Sequence, residues 1–261
     1  MAERGIFDLS GKVALVTGGG SGIGRAYCEA MAEFGADVAC SDIDEKRAQE
    51  TVKLISKFCH KAIAIKADAS KQDEIEYLVN RTVKELGTID IVFANAGISD
   101  KHMVKIHEEP VEDWDSVMAL QPRGTFLLMR VVFPIMMQKG GGSFIATASI
   151  GGLPPVVAGG FFRNIAAYAT SKAAVIMLTR IAAKQYGEYG IRVNAICPGI
   201  QLTAMITKEM KQIIEKLIVP HTPLGRLGRP KELKGLAVWL ASDASSFVTG
   251  QTFVQDGGMM A

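Results

Sequence analysis

Eight residues near the amino terminus constrain the fold more than any other part of the sequence. They read Thr17-Gly18-Gly19-Gly20-Ser21-Gly22-Ile23-Gly24, follow a β-branched apolar run and lead directly into an amphipathic helical pattern. Glycine permits a tight turn and a close ligand approach, while a helix N-terminus offers unpaired N–H groups and a positive dipole end. The spacing Gly-x-x-x-Gly-x-Gly is a variant of the dinucleotide fingerprint, so it predicts a phosphate-binding turn between a strand and a helix. A plain glycine-rich turn is the alternative interpretation.

The rest of the chain repeats this alternation of short apolar runs and longer amphipathic stretches. The pattern predicts an α/β fold in which right-handed crossovers build a doubly wound, Rossmann-like parallel sheet of about seven strands, with helices on both faces. No linker or repeat divides the sequence, so residues 1–261 are expected to form a single domain. The predicted strands are Lys12–Thr17, Asp37–Asp42, Ala62–Lys66, Ile89–Phe93, Ser143–Ala148, Arg192–Ile196 and Thr252–Val254. The predicted helices are Ile23–Phe34, Asp44–Phe58, Lys71–Leu86, Val111–Met137, Ile165–Tyr189 and Pro230–Ala241.

Charge and cysteine content exclude several classes of protein. The chain has 29 basic and 27 acidic residues, and its net charge of +2 is too balanced for a nucleic-acid-binding or polybasic membrane protein. An uncharged stretch, 140–162, is long enough to span a bilayer, but its seven glycines and the adjacent Pro154 and Pro155 exclude a stable helix. The four cysteines show no CxxC pair and no metal-ligand spacing, and the first residues lack the order of a signal peptide. Reduced thiols, no metal and a cytoplasmic location are therefore expected.

A carboxylate at the end of the second predicted strand indicates which dinucleotide the turn would bind. Asp42 follows Gly24 by 18 residues, and an acidic residue there accepts hydrogen bonds from ribose hydroxyls and repels a 2′-phosphate. Its neighbours Ser41, Ile43 and Asp44 include no lysine or arginine that would offset this repulsion. NAD(H) is therefore favoured over NADP(H), unless Asp42 is only a solvated strand-end residue.

A tyrosine and a lysine four residues apart, Tyr168 and Lys172, share one face of a predicted helix. That pair alone is weak evidence, but it is one of seven signatures that occur in the order typical of the classical short-chain dehydrogenase/reductase family. The chain resembles this family over almost its whole length. The signatures are TGGGSGIG at 17–24, Asp68, Asn95-Ala96-Gly97, Ser149, the Tyr168 and Lys172 pair, Pro198-Gly199, and the tail that begins at Leu224.

The resemblance implies an NAD-dependent oxidoreductase that interconverts a secondary alcohol and a ketone by hydride transfer. Tyr168 would be the general base in oxidation and the acid in reduction, while Lys172 would lower its pKa and hold the nicotinamide ribose. Tyrosine has a pKa of about 10, so operation near neutrality requires a decrease of ~2–3 units. Ser149 would hydrogen-bond the substrate oxygen. The position of the family's catalytic asparagine falls on Gln121.

By the same resemblance, residues that follow several strand ends would contact the cofactor. Asp68 would meet the adenine amine, Asn95 to Gly97 would lie under the adenosine ribose, and Ile200 and Thr203 would anchor the carboxamide. Each residue alternatively only shapes a strand end or a turn. The complete predicted set is Gly18, Ser21, Gly22, Ile23, Gly24, Asp42, Ile43, Asp68, Ala69, Asn95, Ala96, Gly97, Tyr168, Lys172, Pro198, Gly199, Ile200 and Thr203.

Three departures from the family pattern bear on function. Ala94 replaces the first of two usual asparagines, which predicts the loss of one hydrogen bond that braces the sheet. Ser149 and Tyr168 are 19 residues apart rather than about 13, and the extra residues fall in an apolar loop, Leu153–Asn164, beside the expected substrate site. Gln121 is followed by Pro122, which predicts a kink whose backbone carbonyl holds a relay water while the amide side chain turns elsewhere.

The resemblance also implies a homotetramer and a lid. The patterns Val111–Met137 and Ile165–Tyr189 carry more apolar side chains than one sheet face can cover, and in the family such helices pair across a two-fold axis. The segment 201–229 begins just beyond a strand end and mixes a possible helix with prolines and glycines. It is expected to close over bound cofactor and substrate.

Two other functions remain open. The Gln121-Pro122 pair suggests a subunit that binds the cofactor but is catalytically weak, and the fold also allows a dehydratase or epimerase. The sequence does not name the substrate, for which a sterol or bile acid, a cyclic alcohol, a sugar alcohol and an acyl thioester are candidates. It does not give the physiological direction of the reaction either.

Overall fold

The computed structural model describes residues 5–59, 61–154, 164–203 and 208–261, and all its strands belong to one parallel sheet. The sheet order is β3-β2-β1-β4-β5-β6-β7, and every neighbouring pair is parallel. This confirms the predicted doubly wound α/β fold with seven strands. The strands are β1 Val13–Thr17, β2 Asp37–Asp42, β3 Ala62–Lys66, β4 Ile91–Ala94, β5 Gly142–Thr147, β6 Ile191–Pro198 and β7 Thr252–Gln255.

The central strands are apolar on both faces because helices cover both sides of the sheet. Successive residues of β1 point to opposite sides, so Leu15 lies in one hydrophobic core and Val16 in the other. The helices are α1 Gly22–Glu33, α2 Glu45–Ile55, α3 Gln72–Leu86, α4 Val111–Met118, α5 Gly124–Lys139, α6 Ala166–Tyr186, α7 Lys208–Ile218 and α8 Lys234–Ala241. Helices α3, α5 and α6 contribute to the first core, and α1, α2 and α8 to the second.

The prediction of one continuous helix over Val111–Met137 is wrong. The chain forms α4, then a π-helical turn over Ala119–Arg123, and only then α5. Pro122 causes the interruption, because proline has no N–H to continue the α-helical ladder. The N–H of Gly124 instead points to the carbonyls of Ala119 and Gln121. The expected kink is therefore a π-turn, and Gln121 lies at its centre, between α4 and α5.

Two other predicted helices have shorter α-helical cores, because their last or first residues form 3-10 turns. Gly187–Tyr189 ends the helix that begins at Ala166, and Pro230–Leu233 precedes α8. Most of the predicted loop Leu153–Asn164 and part of the predicted lid lie outside the described residues, which leave out 155–163 and 204–207. Among the helices that the structure describes, none is both long enough and apolar enough to cross a bilayer.

The strand order places the expected site. Because all seven strands are parallel, their carboxyl ends share one edge of the sheet, and the order reverses between β1 and β4. In doubly wound sheets the crevice at such a reversal binds ligands. Thr17, Asp42, Ala94, Thr147 and Pro198 are the last residues of five strands at this edge.

Candidate active site

The glycine-rich turn connects β1 to α1 at the point where the strand order reverses. Gly18 and Gly22 have φ angles of +64° and +53°, which other residues rarely adopt. A Cβ on Gly24 would lie 2.1 Å from the Gly18 carbonyl oxygen, so this position also requires glycine. Ser21 is the N-cap of α1 but its side chain makes no capping hydrogen bond, and the first turn contains no acidic residue. This helix terminus therefore fits an anionic group such as a pyrophosphate.

Side chains from three other segments hold the carbonyl groups of the turn. Asn95 Nδ2 donates to the Gly18 carbonyl at 3.3 Å and to the Thr17 carbonyl at 3.1 Å. Thr51 Oγ1 donates to the Gly19 carbonyl at 3.0 Å, and Arg25 Nη2 donates to the Gly20 carbonyl at 2.5 Å. The turn is thus fixed without a ligand. Ala94 is buried beside Asn95, which braces β1 against β4 without the usual second asparagine.

The Asp42 carboxylate has a fixed position beside the turn. Its Oδ2 accepts a hydrogen bond from the Gly20 N–H and its Oδ1 accepts one from the Asp44 N–H, both at 3.0 Å. A Cβ on Gly20 would lie 2.7 Å from both Asp42 Oδ2 and Arg47 Cβ. Sequence reasoning considered only the immediate neighbours of Asp42 and missed Arg47. Its Nε lies 3.4 Å from Asp44, and the helical spacing of α2 was the signal that could have revealed it.

The next two strand ends carry the predicted adenosine contacts. Asp68 accepts hydrogen bonds from the Ser70 backbone N–H and hydroxyl, at 3.0 and 2.7 Å. Partial burial raises the pKa of Asp68, but these hydrogen bonds and Lys71 lower it more, so the carboxylate stays ionised. Ala69 packs against the start of α5, where a Cβ on Gly124 would meet its carbonyl oxygen at 2.4 Å. Ala96 N–H donates to Thr17 Oγ1 at 3.2 Å, which places Asn95-Ala96-Gly97 directly beside the glycine-rich turn.

The three predicted catalytic side chains lie together. Ser149 is buried two residues after the end of β5, and its hydroxyl lies near that of Tyr168 on α6. One helical turn later on α6, Lys172 is 4% exposed and donates to the Thr147 carbonyl at 2.8 Å. Lys172 Nζ lies 5.5 Å from the centre of the Tyr168 ring. The arrangement gives a phenol, a hydroxyl and a cation that face one another.

Burial shapes the electrostatics of this group. Burial raises the pKa of Tyr168 above its usual range, the nearby Ser149 hydroxyl lowers it, and the negative charge of Asp100 raises it further. Burial also lowers the pKa of Lys172 to about 8. Cys197 in β6 is a buried thiol whose pKa is raised to about 11. The protein has therefore removed from water a phenol and an ammonium group that would both be solvated on a surface.

Gln121 projects into the same group rather than away from it. The residue is 1% exposed, and its Nε2 donates to the Ile98 carbonyl at 2.6 Å. Its Oε1 is buried and has no hydrogen-bond partner among the described residues. A Cβ on Gly97 would lie 3.3 Å from this Oε1 and 3.5 Å from Lys172 Nζ. The expectation that the amide turns elsewhere is wrong, because the π-turn directs it to the space over Gly97.

The last predicted cofactor contacts follow β6. Gly199 N–H donates to the Gln255 carbonyl at 3.0 Å, and the Ile200 carbonyl accepts from Gly228 N–H at 3.0 Å. The Thr203 side chain approaches the glycine-rich turn, where a Cβ on Gly22 would lie 3.2 Å from its Cγ2. Pro198 to Thr203 thus run from the catalytic side chains to the glycine-rich turn.

One polar contact at the site had no signal in the sequence. The Asp100 carboxylate accepts hydrogen bonds from the Ala167 and Tyr168 N–H groups at 3.2 and 3.1 Å. The residues lie 67 and 68 positions apart, so no local pattern links them.

Ile43 is exposed beside Asp42, as a residue that packs on a ligand would be. Among the described residues, no group of three His, Cys, Asp or Glu side chains could hold a metal ion.

Comparison with known proteins agrees with this geometry. A family profile described as enoyl-(acyl carrier protein) reductase matches residues 18–260. The chain is 38% identical over 257 residues to 2,5-dichloro-2,5-cyclohexadiene-1,4-diol dehydrogenase of Sphingobium indicum, with 97% of this chain and 99% of that protein covered.

Two solved structures show the same fold. A short-chain type dehydrogenase/reductase from Mycobacterium marinum is 36% identical with a TM-score of 0.89, and 98% of each chain is covered. A 7α-hydroxysteroid dehydrogenase in complex with NADH and 7-oxo glycochenodeoxycholic acid is 33% identical with a TM-score of 0.87, covering 99% of this chain and 98% of that chain. Proteins of this kind are oxidoreductases that act on CH–OH groups with nicotinamide cofactors. On its sequence, its sheet and the groups at the carboxyl edge, the chain belongs to the short-chain dehydrogenase/reductase family.

Proposed function

We propose that the protein is an NAD-dependent oxidoreductase that interconverts a secondary alcohol and a ketone. The observation that carries the proposal is the buried group in which Ser149 lies near Tyr168 and Lys172 Nζ lies 5.5 Å from the centre of the same ring. A dinucleotide bound along the carboxyl edge supplies the hydride acceptor in oxidation and, as NAD⁺, a positive charge. The choice of NAD over NADP rests on Asp42, whose carboxylate is fixed beside the glycine-rich turn.

Several residues of this chain have separate roles in proton transfer. Ser149 donates to the substrate oxygen and orients it. Tyr168 removes the hydroxyl proton during oxidation and returns it during reduction. A protonated Lys172, whose Nζ lies 5.5 Å from the centre of the Tyr168 ring, stabilises the phenolate against the increase in pKa that burial causes. Gln121 and Lys172 both border the space over Gly97, through which the proton reaches solvent.

The substrate is proposed to be a small or medium, largely apolar alcohol whose hydroxyl is on a carbon ring. The stretch that follows Gly97 exposes Ile98, Met103 and Ile106, which are 38, 48 and 79% exposed. Such side chains suit an apolar ligand better than a sugar or a charged one. The names of the Sphingobium dehydrogenase and of the hydroxysteroid dehydrogenase both denote ring-borne hydroxyl groups.

The direct test mixes purified protein with NAD⁺ and a panel of alcohols and follows NADH by its absorbance. The panel contains cyclohexanol, a hydroxysteroid, a sugar alcohol and a hydroxyacyl thioester. Turnover of the ring alcohols, lost in Tyr168→Phe, is the expected result. Binding of NADH without turnover of any panel member would favour the catalytically weak subunit. In the reverse reaction with labelled NADH, a product that carries no label would favour a dehydratase or epimerase.

A homotetramer is proposed for the assembled protein. Helices α5 and α6 expose Phe126, Met177 and Ile181, each about half accessible to solvent. Three large apolar residues on two neighbouring long helices indicate a surface that a second copy covers. Light scattering is expected to give about four times the chain mass of 28.0 kDa, and a monomer at micromolar concentration would refute the assembly.

The unpaired Cys28, Cys40, Cys59 and Cys197 support a cytoplasmic location.

The segment 201–229 is proposed to close over the site. Its described part contains α7, whose Ile214 and Ile218 pack with Leu227 in a small separate core. A cavity of about 100 Å³ remains between this segment and the chain terminus, lined in part by Ile200 and Met259. Hydrogen exchange in the segment should become slower when NAD⁺ is added, and equal exchange with and without NAD⁺ would exclude closure.

A further inference from the structure

The helix that carries the tyrosine begins without a cap of its own. Ile165 occupies the N-cap position of α6 and makes no side-chain capping bond, and the first turn contains no acidic residue. Isoleucine cannot accept a hydrogen bond, so the first N–H groups of the helix need another partner. Both oxygens of Asp100 supply it, at 3.2 Å from the Ala167 nitrogen and 3.1 Å from the Tyr168 nitrogen.

Asp100 belongs to a short stretch that touches several parts of the site. It lies three residues after Gly97, and the Ile98 carbonyl between them accepts the hydrogen bond from Gln121. Asp100 itself is 8% exposed. Residues 97–100 therefore connect the space near Lys172, the π-turn and the start of α6. A shift at one end of this stretch would be transmitted to the tyrosine through backbone hydrogen bonds.

A second carboxyl group, that of Glu109, lies beside Asp100 near the start of α6. Its Oε1 is buried, and no donor among the described residues pairs with it. Burial and the neighbouring Asp100 raise the pKa of Glu109 above its usual value.

We propose that Asp100 is a positioning residue that fixes the start of α6 and with it the Tyr168 side chain. Its carboxylate does not contact the reacting atoms, so Asp100 is not a catalytic residue. The inference rests on the proposed role of Tyr168 as acid and base. Tyr168 is only the third residue of α6, so loss of the cap would free its backbone before that of any later catalytic residue.

The expected decrease in rate on loss of the Asp100 hydrogen bonds follows from geometry. A displacement of about 1 Å at a reacting group lowers the rate by ~10²-fold. The Asp100 charge itself opposes catalysis, because it raises the pKa of a tyrosine that must lose a proton. A carboxylate at this position is therefore not explained by electrostatic help to the tyrosine. The two amide hydrogen bonds explain it.

The main test compares Asp100→Ala with Asp115→Asn, which removes an exposed carboxylate from α4. With cyclohexanol and NAD⁺, kcat of Asp100→Ala should fall by ~10²-fold while KM for NAD⁺ changes by less than ~3-fold. Hydrogen exchange should become faster in residues 165–172 and stay unchanged in the glycine-rich turn. Asp115→Asn should leave all three quantities unchanged. Wild-type kcat and exchange in Asp100→Ala would overturn the proposal, as would equally faster exchange throughout the chain.

A conservative variant separates the positioning effect of Asp100 from the effect of its charge. Asp100→Asn keeps one acceptor oxygen, so it should recover at least ~10-fold of the kcat lost in the alanine variant. Removal of the charge should shift the pH midpoint of alcohol oxidation to lower pH. The other groups around Tyr168 and Asp100 remain in place: Lys172 on α6, Ser149 after β5, Cys197 on β6, Glu109 just before α4 and Asp113 within α4.

Should Asp100→Ala fail to fold, the kcat and pH midpoint of Asp100→Asn decide the question. If the wild-type protein oxidises none of the alcohols, the proposed function fails, whereas exchange at residues 165–172 still tests the anchoring of α6.

Discussion

The two halves of the carboxyl edge are organised by opposite means. Around the glycine-rich turn, backbone groups are paired with side chains that remain partly solvated, such as Asp42 and Arg25. Around Tyr168, the groups are buried, and Gln121 Oε1 is left without a partner. Burial holds the pKa of Lys172 near 8 and raises that of Tyr168. Local geometry preforms the first half. In the second half, ionisable groups are held out of water at a cost in free energy, and this environment can favour the reaction.

The largest expected effect falls on the buried half. Lys172→Met should lower kcat for alcohol oxidation by at least ~10³-fold, because it removes the cation that favours the Tyr168 phenolate. The matched control is Lys184→Met, which changes an exposed lysine on the same helix and should leave kcat unchanged. Steady-state kinetics with NAD⁺ and cyclohexanol measure both. A decrease in kcat of less than 10-fold in Lys172→Met would show that catalysis does not depend on the buried charge.

The next effect concerns the solvated half. The protein should prefer NAD(H) to NADP(H) by at least ~10²-fold in kcat/KM, because Asp42 places a fixed charge where a 2′-phosphate would lie. Asp42→Ala should narrow this gap, mainly by weakening NAD(H), and Arg47 then becomes available to a 2′-phosphate. Glu45→Ala, at an exposed position in α2, serves as the control. Equal kcat/KM for the two cofactors in the wild-type protein would contradict the assignment.

The same contrast explains what the sequence could reveal. The glycine-rich turn and Asp42 were predictable because each depends on a few adjacent residues with defined backbone needs. The Tyr168 and Lys172 pair was predictable because four-residue spacing places two side chains on one helix face. The contact of Asp100 with Tyr168 was not, because it joins residues 68 positions apart that only the folded sheet brings together.

The π-turn is an intermediate case. Pro122 indicated that the predicted helix over Val111–Met137 would be disturbed, but proline alone does not distinguish a kink from a π-turn. The direction of the Gln121 amide depends on the extra residue in that turn and on the Ile98 carbonyl, which lies in another segment. Local patterns therefore predicted where the helix changes but not what the change positions.

The pH dependence of the free energy of unfolding measures the cost of burying the Lys172 charge. In the unfolded chain Lys172 has a pKa of about 10.4, and in the folded protein burial lowers it to about 8. Below pH 8 the folded state must hold a buried charge, so the penalty is complete there and disappears as the pH rises towards 10.4. Relative to Lys172→Met, the free energy of unfolding of the wild-type protein should increase by about 2–3 kcal/mol between pH 7 and pH 10. Denaturant unfolding at several pH values measures this difference, and parallel curves for the two proteins would show that burial imposes no cost.

The smallest expected effect concerns Gln121, where the buried half departs from its family. Gln121→Asn should change kcat by less than ~10-fold, or about 1.4 kcal/mol of barrier, because the shorter amide keeps the same donor and acceptor near Lys172. Gln121→Met, which fills a similar volume without an amide, shows which oxygen serves the proton path. A kcat within 10-fold of wild type in the methionine variant would assign the path to the backbone carbonyl, which already accepts from Gly124 N–H. A larger loss would assign it to Oε1, the buried oxygen that faces the same space as Lys172 Nζ. An increase of 10²-fold or more in Gln121→Asn would instead mean that the native glutamine impairs turnover, and the weak-subunit function would then be the better account of this chain.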